Sequence, residues 1–155
     1  PNLRNMLSIY LYPSVCLFEA TPVSLGRGTE KPFLCYGHPN FNAPRTSPSV
    51  YGPAITFTPN QSTQKGRICD GVDLSMMTEE EARQVGFSLR YLMDAYEHLS
   101  MDNYFFRSFF ELLVGVDYVR KMINKGCSEE EIRACWQEDV ANFKLQRRPY
   151  LLYAE

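Results

Sequence analysis

The chain has 155 residues, 45% of them hydrophobic, and a formal net charge of −2. This is the length of one ordinary domain with enough apolar side chain for a core, and the charge balance excludes a strong electrostatic footprint on nucleic acid or an anionic membrane. The most basic stretch is the pair Arg147–Arg148, and no apolar run reaches the roughly 20 residues of a membrane-spanning helix.

Eight of the ten prolines fall between Pro13 and Pro59, so the first half reads as short strands separated by proline- and glycine-rich loops. Strands are expected over 14–19, 54–58 and 67–76. In the last, Ile68, Asp70, Val72 and Leu74 share one face and Cys69, Gly71, Asp73 and Ser75 the other, with Asp70 interrupting the apolar side. Residues 36–53 read as turn chemistry throughout, a long connection of the kind that is usually functional or covers something.

At Thr78 the pattern becomes helical. Thr78 and Glu81 form a capping box, and Ala82, Val85, Leu89, Leu92, Met93 and Tyr96 then recur at helical spacing. A second helix is expected over about 102–114 and a third over about 116–125, stopped by Gly126. Ser128 and Glu131 make another capping box. The helix they open carries Ile132, Trp136, Val140 and Phe143 on one face and ends before Pro149. The phenylalanine-rich stretch 104–110 reads as core in preference to a sugar-stacking platform. Strands first and helices after, without βαβ alternation, give an α+β fold: a small mixed sheet with loops in the N-terminal half, packed by three to four helices from the C-terminal half. The whole span 1–155 is expected to form a single domain.

Five cysteines at 16, 35, 69, 127 and 135, with no C-x-x-C pair, read as buried free thiols and give no structural zinc site. His38 and His98 are sixty residues apart, so no metal site and no cofactor are expected. The informative stretch is 16–33, "CLFEATPVSLGRGTEKPF". It gathers Glu19, Thr21, Ser24, Arg27, Thr29 and Glu30 around Gly26 and Gly28, a set suited to a ligand with many hydroxyl groups. It is not a phosphate loop, because no Lys follows Gly28, and Lys31 breaks a dinucleotide fingerprint. Gly26 and Gly28 would shape the loop and let it approach another surface, while the Arg27 guanidinium offers a planar fork of donors to a carboxylate or to paired sugar oxygens. A tight turn in which Arg27 pairs with Glu19 or Glu30 for structure alone explains the same residues equally well. Glu19 and Glu30 are the available carboxylates for a two-carboxylate glycosidase arrangement, and the residues doing acid–base chemistry stay unassigned.

The segment "LYPSVCLFEATPVSLGRGTEKPF" resembles the signature "YPG-C-FEGTN-SEGRGT--PF" of the bacterial exo-β-N-acetylmuramidases, the NamZ/YbbC-like glycoside hydrolases. The likeness continues through "GHPN" at 37–40, "ITFTPNQSTQKGRICDGVDL" at 55–74 and "SEEEIRACWQEDVANFKLQRRPYLLY" at 128–153. It implies the C-terminal domain of a two-domain peptidoglycan hydrolase that removes terminal N-acetylmuramic acid for cell-wall turnover and amino-sugar recovery. Its partners would be an N-terminal Rossmann-like catalytic domain of the same parent and N-acetylmuramic acid-containing peptidoglycan fragments. The substrate class favours a periplasmic or secreted parent. Glu19, Thr21, Ser24, Arg27 and Thr29 match the signature loop as substrate-binding residues. Ala20, Pro22, Leu25 and Asn40 stand where the family commonly has Gly, Asn, Glu and Trp. Those departures leave open a non-catalytic glycan-binding or interaction module. A lost partner face would also leave an exposed apolar or aromatic patch near 16–33.

Overall fold

The computed structural model describes residues 2–41, 51–101 and 104–153. The α+β class is as expected, with one three-stranded sheet and seven short helices among the described residues. Both strand pairings are antiparallel, so the sheet is not mixed. The edge strand β1 (Cys35–His38) and the edge strand β2 (Ala54–Phe57) flank the central β3 (Cys69–Asp73). Tyr36 lies opposite Val72, and Thr56 lies opposite Asp70, whose Oδ1 accepts the Thr56 hydroxyl proton at 2.6 Å. That pairing explains how Asp70 is tolerated in a central strand: its carboxylate has a cross-strand donor.

The chain opens with a helix where strands were expected. α1 (Met6–Val15) is capped by Asn5, whose side chain accepts from the Ser8 N–H at 2.9 Å, while Ser8 reaches back to the Asn5 N–H. The strand expected over 14–19 is instead the end of α1 followed by a 3₁₀ turn, Cys16–Ala20. Two features of the sequence hide α1. Pro13 lies inside it, and its outward face carries Met6, Ile9 and Tyr12, so the helix is apolar all round and shows no stripe. The inward residues Leu7, Leu11, Ser14 and Val15 do keep helical spacing. β1 was hidden by its glycine and by the flanking prolines.

The helix expected from Thr78 through Tyr96 is two: α2 (Glu79–Val85) and α3 (Arg90–Leu99). Gly86 ends α2 with φ at 58° and its N–H on the Ala82 carbonyl. Ser14 of α1 ties this break down, donating to the Gly86 carbonyl at 3.3 Å and accepting from the Ser88 N–H at 2.9 Å. Of the helix expected over 102–114, only α4 (Phe110–Val114) is helical among the described residues. Phe105, Phe106 and Phe110 are buried, with half-buried Tyr96 packed against Phe105 and Phe106, but Tyr104 and Phe109 are exposed, so the aromatic stretch is core in part only. α5 (Tyr118–Asn124) stops before Gly126 as expected. The last expected helix breaks at Cys135–Trp136 into α6 (Glu129–Ala134) and α7 (Gln137–Arg147). Ile132 is buried, but the break takes Val140 and Phe143 off its face, and α7 buries no residue. No described helix is long and apolar enough to cross a membrane.

The core runs between the sheet and α1, α3 and α4. Phe18 stacks on Tyr36 at 4.9 Å, and the Tyr36 hydroxyl donates to Asp94 of α3 at 2.7 Å. One buried carboxylate joins the helical half. Glu129 is 5% exposed and accepts from the Ser88 hydroxyl at 3.1 Å and the Leu89 N–H at 2.9 Å. Arg90 and Arg133 pair with it at 3.0 and 3.3 Å. Removing one partner of a buried ion pair leaves uncompensated charge and orphaned donors, at about 3–5 kcal/mol. Glu129→Ala is therefore expected to lower unfolding free energy by that amount, whereas Glu80→Ala on exposed α2 should stay within about 0.5 kcal/mol. Denaturant titration of both variants checks this.

Candidate functional site

The 16–33 loop is pinned to the free edge of β1. Ser24 and Gly37 exchange both backbone hydrogen bonds, at 2.8 and 2.9 Å, as a one-residue bridge. Beyond it the chain turns twice through the left-handed region, at Gly26 (φ 67°) and Gly28 (φ 80°). A β-carbon on Gly26 would lie 2.5 Å from the Cys35 sulfur and 2.7 Å from the Lys31 carbonyl oxygen. One on Gly28 would lie 2.3 Å from the Asn60 side-chain oxygen and 2.7 Å from the Gln61 nitrogen. Both positions leave no room for a β-carbon; Gly26 is crowded by its own loop and Cys35, and Gly28 meets a second loop, 58–67. The Gln64 side chain closes that contact, donating to the Pro22 carbonyl at 2.7 Å.

Between the two loops lies an open cleft of about 190 Å³. Buried Phe18, Val23 and Leu25 form its base, Glu19 and Arg27 one side, and Ser62 and Thr63 the other. Phe109 completes it. It is held there because the Arg107 N–H donates to the Ala20 carbonyl at 2.9 Å and α4 packs on the 16–20 turn. Arg27 Nη2 pairs with Glu19 Oε1, and the guanidinium carbon sits 4.9 Å from the centre of the Phe33 ring. Phe33 holds φ at 61°, rare for a bulky residue, which places strain directly beneath this arginine. Both charged side chains remain about one-third exposed. Of the two carboxylates open to Arg27, Glu19 is the one it takes. Glu30 is exposed and outside the cleft lining.

The three hydroxyls of the loop are engaged with its own backbone. Thr21 donates to the Phe18 carbonyl at 2.8 Å and accepts from the Val23 N–H at 3.1 Å. Ser24 accepts from the Gly26 N–H at 3.4 Å. Thr29 donates to the Gly26 carbonyl at 2.6 Å and accepts from the Lys31 N–H at 3.0 Å. Lys31 then anchors the loop's far end to Asp73 of β3 at 2.5 Å. Burial alone would raise the Asp73 carboxyl, but hydrogen bonds from Lys31 and Ser75 outweigh it and hold it below the usual carboxylate range.

Leu25, where the family signature commonly carries Glu, is 5% exposed and makes the cleft base apolar. Ser62 and Thr63 were not singled out from sequence, and Phe109 was read as core in preference to a sugar-stacking platform, whereas it is exposed and lines the cleft. The first two lie inside the 55–74 segment, and the third sits among aromatics that mostly turn inward. All five thiols are free. Burial pushes Cys35 up to about 12 and Cys69 up to about 11, far from nucleophilic range. His38 is buried, with Nδ1 accepting from the Asn40 N–H at 3.1 Å, and burial lowers its basicity. Among the described residues, no group of three or more His, Cys, Asp or Glu side chains could hold a metal ion.

Comparison with known proteins bears on this geometry. The profile of the family "Exo-beta-N-acetylmuramidase NamZ, C-terminal" matches residues 10–153. The "Peptidoglycan beta-N-acetylmuramidase NamZ" of Bacillus subtilis (strain 168) is 32% identical over 168 residues, covering 99% of this chain and 39% of that protein. A crystal structure of a DUF1343 family protein from Bacteroides fragilis NCTC 9343 superposes with a TM-score of 0.89 at 53% identity, covering 100% of this chain and 43% of that one. A second DUF1343 structure from the same organism shares the fold at 17% identity, with a TM-score of 0.65, 94% of this chain and 42% of its own covered. The chain therefore spans about two-fifths of the length of these relatives.

Gly28 and Gly66 both hold left-handed backbone, but a β-carbon on Gly66 meets nothing within 4 Å. Each alanine substitution carries the left-handed penalty of about 1–2 kcal/mol. Gly28→Ala should cost clearly more than Gly66→Ala, because it also forces the two loops apart, and equilibrium unfolding of the two variants measures the difference.

Proposed function

The chain belongs to the exo-β-N-acetylmuramidase NamZ C-terminal family, and on that premise we propose that it is the substrate-side domain of a peptidoglycan-acting exo-β-N-acetylmuramidase. In this reading the cleft between the 16–33 and 58–67 loops is one wall of the sugar pocket. The other wall and the acid–base chemistry come from an N-terminal catalytic domain of the same parent. The parent would release N-acetylmuramic acid from peptidoglycan fragments during cell-wall turnover, and the sugar would then be recovered.

The observation that carries the reading is the Arg27–Glu19 pair on the cleft, backed by Phe33. N-Acetylmuramic acid differs from N-acetylglucosamine by a lactyl ether ending in a carboxylate. A guanidinium has five N–H donors in a rigid fork, and pairing with Glu19 leaves donors for a second carboxylate. Glu19 and the Phe33 ring fix the plane of the fork, so little side-chain freedom is lost when the ligand arrives. Thr21, Ser24 and Thr29 act in this scheme through the loop conformation they hold, and Gly26 and Gly28 through the turns they permit. Among the described residues, Glu19 is the one carboxylate lining the cleft, whereas most glycosidases need two flanking the scissile bond. Borrowed acid–base residues follow from that. The alternative of a non-catalytic glycan-binding module draws on the same lone carboxylate and on the apolar Leu25 base.

In the full-length protein, Arg27→Ala should weaken N-acetylmuramic acid binding about tenfold to a hundredfold, the worth of a charge-assisted hydrogen bond, and leave N-acetylglucosamine nearly unaffected. Arg27→Lys should restore only part of the loss. Calorimetric titration with both sugars reads the difference. An equal loss for both, with a large fall in unfolding temperature, would reduce Arg27 to a loop-holding role. Turnover of a chromogenic β-N-acetylmuraminide should require the full-length protein. Robust turnover by these 155 residues alone would overturn the two-domain scheme, and no turnover by an intact parent would favour the binding module.

A further inference from the structure

We infer that the ligand-contacting polar groups of the cleft lie chiefly on the 58–67 loop, at Ser62 and Thr63, and that Phe109 is the platform on which the sugar ring stacks. This rests on the proposed sugar-binding role of the same cleft and adds residues from outside the signature loop.

Three observations lead there. The first is where hydroxyl groups are free. Thr21, Ser24 and Thr29 each bond to backbone of their own loop. Ser62 and Thr63 line the opposite side of the cleft, and among the described residues their hydroxyls have no hydrogen-bond partner. A hydroxyl both donates and accepts, which matches the alternating needs of ring hydroxyl and acetamido groups.

The second is backbone strain. Ser62 and Gln64 hold φ at 66° and 64°, flanking Thr63 with two non-glycine residues in the left-handed region. Such backbone is unfavourable for residues with a β-carbon and persists where the surroundings hold it. The turn is held by the Lys65 N–H on the Ser62 carbonyl at 3.2 Å and by Gln64 on the Pro22 carbonyl. The outcome is that Ser62 and Thr63 sit on the cleft facing the charged pair.

The third is Phe109. Its neighbours Phe105, Phe106 and Phe110 are 0%, 9% and 0% exposed, but Phe109 is 40% exposed and lines the cleft. An aromatic face in a mostly polar cleft offers the apolar C–H face of a pyranose a large apolar surface open to solvent, over a base already buried.

The test uses the full-length protein, titrated calorimetrically with N-acetylmuramic acid and followed by thermal unfolding. Ser62→Gly removes the hydroxyl and relieves the left-handed strain, so stability should hold or rise while affinity falls about two- to tenfold. Thr63→Val keeps the side-chain shape and should lose affinity by a similar factor. Phe109→Ala should lose up to about tenfold and Phe109→Tyr should retain wild-type affinity. If Phe109→Ala unfolds, Ser62→Gly and Thr63→Val still decide the question. Wild-type affinity in Ser62→Gly, Thr63→Val and Phe109→Ala, with Arg27→Ala impaired, would overturn this inference and leave the sugar-site reading standing. No binding of N-acetylmuramic acid by the unmodified protein would overturn both.

Discussion

The contact of Gly28 with Asn60 and Gln61 is the constraint on which the site depends. It brings the loop that precedes β1 and the loop that connects β2 to β3 within backbone distance, and the cleft lies between them. The geometry is unforgiving, since any β-carbon at 28 would overlap both a side chain and a backbone nitrogen. Everything else in the region supports that meeting. Ser24 fastens the first loop to the β1 edge, Lys31 fastens its end to Asp73, and Gln64 crosses from the second loop to the first. The sheet is short, but its single central strand carries both edges that the loops hang from.

Packing on the opposite side keeps this scaffold still. Phe18 sits in the middle of the 3₁₀ turn that opens the signature loop and stacks on Tyr36 of β1, which in turn bonds to Asp94 of α3. Burial raises the Asp94 carboxyl, with the Tyr36 hydrogen bond and His98 opposing. The cleft base is thus continuous with the core, and a shift in the helical layer would be felt at Phe18, one residue from Glu19. The charged pair itself stays partly solvated and is not buried for stability, and in the role proposed for it the guanidinium would exchange water for a ligand carboxylate.

The α+β class, β2, the position of β3, both Thr78 and Ser128 capping boxes and the end of α5 were legible because each is a local signal, such as a cap three residues from its partner or a terminal glycine; the alternation expected over 67–76 was not borne out, since β3 spans only Cys69–Asp73, buries both of its faces and leaves Ile68 exposed outside it. α1 was not, because Met6, Ile9 and Tyr12 remove the contrast between its faces and Pro13 argues against a helix. The breaks at Gly86 and Trp136 were hidden because apolar spacing carries across them while the backbone does not. At the site, the signature loop was found for its charges and glycines, yet its hydroxyls turn inward. Ser62, Thr63 and Phe109 reach the cleft only through tertiary placement, which no spacing within 58–67 or 104–110 encodes.

The central claim is that the two loops together hold one amino sugar. A crystal structure of the full-length protein with N-acetylmuramic acid bound tests it most directly. The account predicts the sugar between the 16–33 and 58–67 loops, its lactyl carboxylate within hydrogen-bond distance of Arg27 and its ring against Phe109. Sugar bound elsewhere would contradict it, whether in the acidic cleft of Asp94, Glu97 and Glu130 or in the apolar one beside Trp136, with no contact to Arg27.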